Sequence, residues 1–529
     1  MILGPPGVYS QETDLTGITR LLASTNAACV GATSKGPVNG AVFISNDKQF
    51  VETFGPPDPS LGYAGYSALA VLRQGGGLWF TRVVNNATYP ILMITKDTTP
   101  EATGSILKTN TAVAIPGAFT SADDAVQFWP IGPGVGYGNI AINITDVVNG
   151  VAAGDYDFTV QVLDAANNYA VLEAHRVSTK YKVDGYNKQM FIEDVININS
   201  SLIRVALNDE STVPITAGAT PGTNNRLPFG TASAGTAVTD AQIVTAWQAM
   251  VDVNKYQMTV LVNAGYATPA VQNAMLDCAA KRDDCFAALD LPSASQGAVA
   301  AKTYRAETLN ANSSYGILVG PDYLYYDELS DRTLYVPASG ETAARAIYTD
   351  STRDPWIAIA GLNRGLFKNC QGLRVNYSTQ EQKILTDAQI CYVLTQPGDG
   401  HALWGQQTLT SKASAVQSLN IRRLLNVLKP SMARAARYSL WEPNDELTRT
   451  KLVQQLDEFL MQVKNRRGVY DYMVVCDSSN NTPATIEAKQ LNVDVYLKPT
   501  YAAEWIKVQS VLAPNSASFQ ELASTGGNF

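Results

Sequence analysis

The side chains able to do chemistry are few and scattered. The chain has two histidines, His175 and His401, far apart in sequence. Acid–base work near neutral pH needs a positioned histidine or carboxylate with a shifted pKa. Asp283-Asp284, Asp290 and Asp477 stand where helices or strands end, and at such places a carboxylate is commoner as a cap or turn residue. His401, beside Trp404, reads as a packed core histidine. Six cysteines (Cys29, Cys278, Cys285, Cys370, Cys391 and Cys476) form no C-x-x-C pair, and no His/Cys/carboxylate group has metal-ligand spacing. They read as reduced, mostly buried thiols of a protein made in a cytoplasm. Gly75-Gly76-Gly77 lies between a helix and a strand, with no Lys-Ser/Thr after it. A phosphate loop needs the reverse order, so this is a helix end and turn. Gly132–Asn139 carries glycines at alternate positions but opens no helix, and reads as a loop. The expectation is no catalytic residue, no metal and no cofactor.

The elements that surround these residues follow from periodicity. Residues 1–22 read as an extended arm: Gly4, Pro5, Pro6 and Gly7 preclude a helix, and Val8–Glu12 is a strand with no local partner. From Asn26 the pattern predicts strands over 27–32, 42–44 and 78–84 and helices over 49–54 and 63–73. Residues 96–236 are rich in Thr, Ala, Gly, Asn and Val, with alternating runs at 140–147, 156–163 and 202–207 between turn clusters. They predict a β-rich sandwich or barrel-like insertion. Beyond it, a helix from Asp240 as N-cap to 251, a strand over 258–262, a helix over 269–281 and a strand over 285–289 make a βαβ unit of a mostly parallel sheet. A strand over 315–319 and a helix over 340–348 continue it. The C-terminal part, from about 375, carries one stripe of Ile421, Leu424, Leu425, Leu428 and Met432, with a kink or break expected at Pro430. A second stripe, Leu452, Val453, Leu456, Phe459, Leu460 and Val463, is capped by Asn444 or Asp445. Leu491–Leu497 alternates as a half-buried strand.

The expected fold class is thus α/β and α+β multidomain. It has an arm at 1–22, an α/β middle domain from 23–95 plus 237–374, the β-rich insertion at 96–236, a C-terminal α+β domain at 375–512 and a second arm at 513–529. At 529 residues with 46% apolar and 16% charged residues, the chain has material for several ordinary cores. Its formal charge of −8 argues against a nucleic-acid partner. Residues 411–510 hold 14 Lys/Arg against 10 Asp/Glu, a mildly basic block on an acidic body, which suits an acidic protein partner. The start, Met-Ile-Leu-Gly-Pro-Pro-Gly, lacks the basic opening of a secretory signal. No apolar run nears the roughly 18 residues of a membrane span, so no membrane insertion is expected.

The order of short motifs is more specific than any one of them. It runs Pro6-Gly7-Val8-Tyr9, then Val30–Asn39, then the Gly62-Tyr63 helix ending at Gly75-Gly76-Gly77 before Thr81-Arg82-Val83. Pro337-Ala338-Ser339-Gly340 and Trp356 follow. Densest is the C-terminal series Leu403-Trp404-Gly405, Thr408-Leu409, Asn420-Ile421-Arg422-Arg423, Trp441-Glu442-Pro443-Asn444, Phe459-Leu460 and Val475-Cys476-Asp477. In this order the chain resembles the tail sheath proteins of contractile-tailed bacteriophages. The resemblance covers nearly everything outside 96–236. Gln406-Gln407, where the family often has an Arg, and the basic Asn465-Arg466-Arg467-Gly468 turn depart from it.

The resemblance implies a structural subunit, not an enzyme, in the phage tail of the virion, assembled in the cytoplasm of the host bacterium. Hexameric rings would stack as a helical sleeve around a tail tube. Contraction would drive the tube through the host envelope, with the tube, baseplate and tail terminator proteins as partners. The arms would lend strands to neighbouring subunits, through Val8, Tyr9, Ser10, Gln11 and Glu12 at one end and Val508, Val511 and Phe519 at the other. Lys451, Lys464, Arg466 and Arg467, on or ending one helix, are the expected tube-facing cations. Two alternatives stay open: the sheath of a related contractile machine, such as a bacteriocin or type VI secretion system, and an α/β enzyme using the strand ends of 260–289.

Overall fold

The computed structural model describes residues 26–38, 40–95, 107–113, 115–119, 124–149, 156–208, 226–230 and 232–505. Both arms, and with them Val8, Tyr9, Ser10, Gln11, Glu12, Val508, Val511 and Phe519, lie outside the described residues.

An eight-stranded sheet forms the body. Its order is Gly400–Trp404, Ile390–Gln396, Gly316–Gly320, Phe286–Asp290, Val260–Val262, Asn26–Gly31, Gly77–Arg82 and Ala41–Ile44. The six inner strands run parallel, and the strand at each edge is antiparallel to its neighbour. Parallel strands are covered on both faces by crossover helices, which is why the inner strands read as short unbroken apolar runs. One apolar cluster lies on each face. The first gathers Phe50, Phe54, Leu69, Phe80, Val262 and Ile347; the second gathers Trp247, Met275, Leu276, Leu289 and Leu318. The helix Ala64–Leu72 is buried almost all round because its small residues let it press against the Ser339–Thr352 helix. A Cβ on Gly340 would sit 2.6 Å from the Ser67 Cα, so this crossing requires glycine.

Between the strands Gly77–Arg82 and Val260–Val262 the chain leaves the sheet to build two antiparallel four-stranded sheets. They share one apolar cluster that includes Phe128, Phe158, Ile142 and Val160, a sandwich arrangement. The strand Tyr89–Thr95 pairs within it, so the unit starts earlier than the expected residue 96. The Gly132–Asn139 loop is its seam with the body. Gly132 packs where a Cβ would lie 1.9 Å from the Gly36 carbonyl oxygen. The Gly36 N–H donates to Tyr137 Oη at 2.7 Å, and buried Arg82 donates to the Gly36 carbonyl at 2.7 Å.

Three expectations are corrected. Residue 375 is not a boundary, because the strands Ile390–Gln396 and Gly400–Trp404 extend the central sheet. Thr239, rather than Asp240, caps the helix Asp240–Ala249, exchanging bonds with Gln242. Of the kink or break expected at Pro430, the break is absent: the helix Leu419–Ala436 runs on through it. The sequence reading also passed over the three-stranded sheet of Tyr323–Asp327, Arg332–Val336 and Cys370–Leu373.

The carboxyl ends of parallel strands are where doubly wound sheets hold ligands. Here the chain's own side chains fill that place. Asp290, buried at the end of its strand, accepts from the Ser339 N–H at 2.7 Å, Ser339 Oγ at 2.6 Å and the Gly265 N–H at 2.9 Å. Gln272 donates to the Asp290 carbonyl at 2.8 Å, and the Asp290 N–H donates to Asn263 Oδ1 at 3.1 Å. Asp290 thus ties the Ser339–Thr352 helix to the sheet, the structural role expected of a strand-end carboxylate. Burial, opposed by these hydrogen bonds, pushes its carboxyl up to about 7. The folded chain then keeps a proton that the unfolded chain releases near pH 4. That contribution to stability is full below about pH 4 and lost as pH rises through 7. In urea titrations across pH, the stability of the wild-type chain relative to Asp290→Asn should fall by about 1.4 kcal/mol per pH unit between those limits. A pH-independent difference would contradict the raised carboxyl.

Candidate assembly interface

The C-terminal unit hangs on one helix. Leu419–Ala436 repeats apolar residues at three- and four-residue spacing, yet Asn420, Arg422, Arg423 and Asn426 are buried with them. A helix that is apolar on one stripe and buried on two faces must pair the polar residues of its second face. That face meets the body. Arg422 lies 3.5 Å from Asp283 and its guanidinium sits 4.1 Å over the Tyr315 ring. Lys429 Nζ reaches the same Asp283 at 2.7 Å, and Tyr315 Oη donates to it. Arg423 pairs with Asp350, both side chains being at most 4% exposed. Asn426 donates to the Cys285 carbonyl at 2.8 Å. Asp283 is in the left-handed region at φ 60°, capping the helix Pro269–Arg282. Burial pushes its carboxyl up, but the bonds from Lys429 and Tyr315 and the charge of Arg422 hold it below the usual range. For Asp350 burial wins over Arg423 and its carboxyl is raised.

The second helix, Glu446–Asn465, is capped by Asp445, which accepts from the Thr448 N–H at 2.8 Å. It buries Leu452, Leu456, Phe459, Leu460 and Val463. Against this pair lies a two-stranded antiparallel sheet, Val469–Val475 with Asp494–Pro499. Tyr472, Val474, Val495 and Leu497 point into the core, while Tyr470, Met473 and Tyr496 are exposed. The sheet is shorter at its start than the expected run from Leu491, because Leu491 and Val493 pack in a second small cluster instead. Among the described residues each strand pairs only with the other. The sheet thus presents two outer edges of main-chain donors and acceptors, the template that strand addition uses.

The four expected tube-facing cations do not share one role. Lys451 is exposed on the second helix, and Arg467 is exposed just past its end at φ 64°. Lys464 pairs with Asp471 at 3.0 Å. Arg466 is engaged inside the chain: it pairs with Asp354, its guanidinium sits 5.7 Å over the Trp356 ring, and its carbonyl accepts from Trp356 Nε1 at 3.0 Å. His401 is half-buried on the sheet's edge strand, with Nδ1 3.0 Å from Thr395 Oγ1, rather than fully in the core. His175 meets Glu173 at 3.2 Å, Asp284 pairs with Arg282 at 2.8 Å, and Asp477 accepts from the Ser479 N–H at 2.7 Å. Among the described residues no group of three or more His, Cys, Asp or Glu could hold a metal ion. Nor is any described helix long and apolar enough to cross a membrane.

Residues 411–513 match the sequence profile of the phage tail sheath C-terminal domain. Over these residues the C-terminal unit is similar to that domain family. Tail sheath proteins of Vibrio phage KVP40 and Enterobacteria phage T4 are 35% and 32% identical to the chain, over 41% and 43% of it. Those matches span about a third of each relative's length, 32% and 35%. The fold likeness is wider. A chain of the anti-feeding prophage baseplate superposes over 97% of this chain and 100% of its own, with a TM-score of 0.52 at 12% identity. The sheath tail protein of Desulfitobacterium hafniense covers 93% of this chain and 96% of its own, with a TM-score of 0.53 at 13% identity. In the C-terminal unit the Asn420–Arg423 motif has a physical meaning: it carries the buried arginines of the joint to the body. The signal was present in the sequence, as two arginines within an apolar helix stripe. Their partners, Asp283 and Asp350, are more than 70 residues away.

The joint should respond unequally to mutation. Removing one partner of a buried pair strands the other, so Arg423→Ala should cost about 3 kcal/mol or more. Lys464→Ala, at a half-exposed pair, should cost less than about 1 kcal/mol. Urea midpoints followed by circular dichroism compare them; equal costs would mean the joint is not a buried ion pair.

Proposed function

We propose that this protein is the structural subunit of a contractile phage tail sheath. It polymerises as stacked hexameric rings around a tail tube and contracts to drive the tube through the host envelope. The observations that carry the reading are the match of residues 411–513 to the tail sheath C-terminal domain and a two-stranded sheet whose outer edges are unpaired among the described residues. In the sleeve, residues 1–22 and 513–529 of neighbouring subunits supply the missing strands. A donated strand brings main-chain hydrogen bonds whatever its side chains, while alternate side chains fix its register. Each link is weak alone but effectively intramolecular once its neighbours hold. Head-to-tail contacts that do not close generate helices rather than rings alone. Contraction without a nucleotide then needs only two lattice packings of slightly different free energy, summed over many subunits.

The sheath domain faces the tube. Lys451 and Arg467 are exposed cations on or just past its second helix, with Lys464 able to exchange Asp471 for an acidic group of the tube protein. Baseplate and terminator proteins bound the sleeve, and the protein resides in the virion tail. The work is mechanical, so the subunit is not an enzyme; the carboxyl ends of its parallel strands are filled by the Asp290 network. A second reading, the sheath of a related contractile injection machine, draws on the 12% identical anti-feeding prophage neighbour that superposes along its whole length. Capsid and terminase genes beside this one favour the phage; their lack favours the machine.

Negative-stain electron microscopy of the purified chain should show rings or tubes. Deleting residues 1–20 or 513–529 should leave the circular dichroism spectrum intact and abolish polymers. Tubes formed equally well by both truncations would overturn strand exchange. In co-sedimentation with assembled tube, raising salt should release the sleeve from the tube before subunits separate, because exposed ion pairs are screened. Separation of subunits at lower salt than release of the tube would contradict charge-based tube binding.

A further inference from the structure

Two features of the C-terminal half have no role inside the chain. The first is a protruding aromatic. Trp441 is 101% exposed and held in the left-handed region at φ 72°, a strained conformation for a bulky residue. Tyr438, Leu440 and Leu447 around it are each more than 60% exposed. Apolar groups gathered and left bare in this way mark an interaction surface. The second is a hole. A cavity of about 360 Å³ opens between the edge strands of the central sheet and residues 502–505, walled by Ile390, Tyr392, Trp404, Gly405 and Ala360. That volume is at the small end of ligand pockets. Gln406 lies in the same wall, buried, and its Oε1 finds no hydrogen-bond partner among the described residues. The wall thus lacks one donor. Trp505 borders the cavity but is 80% exposed, so its ring does not fill it.

We propose that the Trp441 indole of one subunit inserts into the Tyr392–Trp404–Gln406 cavity of a neighbouring copy. An indole carries one N–H donor and no acceptor. Rotation about the terminal torsion of Gln406 brings its Oε1 to meet that donor, while Tyr392, Trp404 and Ile390 enclose the ring. A knob and a complementary hole at different places on one chain make a heterologous contact, which propagates rather than closes. The Trp441–Asn444 turn and the Leu403–Gly405 strand end are therefore two halves of one joint. This contact rests on the sheath reading and adds to it a link made by side chains, separate from strand exchange. A buried aromatic anchor in a pocket is the usual form of an interface hot spot.

The test mixes two full-length single variants, Leu440→Cys and Thr386→Cys, under mild oxidation. Leu440 neighbours Trp441, and Thr386 borders the cavity. Assembled polymers should yield a cross-linked dimer on non-reducing gels. Adding Trp441→Ala to the Leu440→Cys chain should abolish it and raise the critical concentration for polymerisation at least tenfold. Trp441→Phe, which keeps the ring without the N–H, should fall between. Trp441→Ala chains that polymerise as well as wild type, or mixed cysteine-variant polymers that give no dimer, overturn this contact and leave the sheath reading standing. Loss of polymer on Trp505→Ala but not on Trp441→Ala also overturns it, by assigning the cavity to the chain's own C-terminal segment. A wild-type chain that stays monomeric overturns both.

Discussion

The structure depends on one electrostatic joint, buried at Arg423–Asp350 and partly exposed at Asp283. Arg422, Arg423, Asn426 and Lys429, on a single helix, reach Asp283, Asp350 and the Cys285 carbonyl of the sheet body. Beside it, Trp356 and Ile357 pack into the core of the C-terminal unit with Leu424, Leu428, Phe459 and Val463. With it, a force applied at the domain's sheet edges is passed to the whole subunit. Buried ion pairs are weak evidence for stability, because desolvation consumes much of their attraction. What they supply here is geometry: a charged pair removed from water tolerates little sliding, whereas an apolar face would permit it. The proposed lattice needs such a fixed angle between the body and the C-terminal unit.

In the proposed sleeve, strand addition and the joint divide the labour. Main-chain edges form bonds with any extended segment of the right length, so they can hold neighbours while subunits rotate. Side-chain contacts, whether ion pairs at the tube or an aromatic in a cavity, depend on position and can be broken one packing at a time. A lattice with both kinds of link can change shape without coming apart.

Much of the fold was legible in the sequence. The βαβ unit around 258–289 and the helices over 64–72 and 269–282 follow from periodicity, proline at a helix start and glycine at its end. The boundaries were less legible, for a physical reason. The strand Tyr89–Thr95 and the strands over 390–404 look alike in pattern whichever sheet they join, and only tertiary pairing decides. The joint was half visible. Two arginines in a buried stripe demand partners, but nothing local says that these are Asp283 and Asp350. Of the cations at the helix end, Arg466 is half exposed but engaged by Trp356 and Asp354, contacts that sequence spacing does not reveal. The motifs Leu403–Gly405 and Trp441–Asn444 were plain as strings, while their shapes, a hole and a protruding ring, needed the fold.

The central claim is that subunits are joined by strands lent to the sheet of Val469–Val475 and Asp494–Pro499. A near-atomic helical reconstruction of tubes grown from the full chain tests it most directly. The account predicts four strands in that sheet, the outer two traced to residues 1–22 and 513–529 of neighbouring subunits. Tubes in which the sheet keeps two strands, with both arms placed elsewhere, would contradict it.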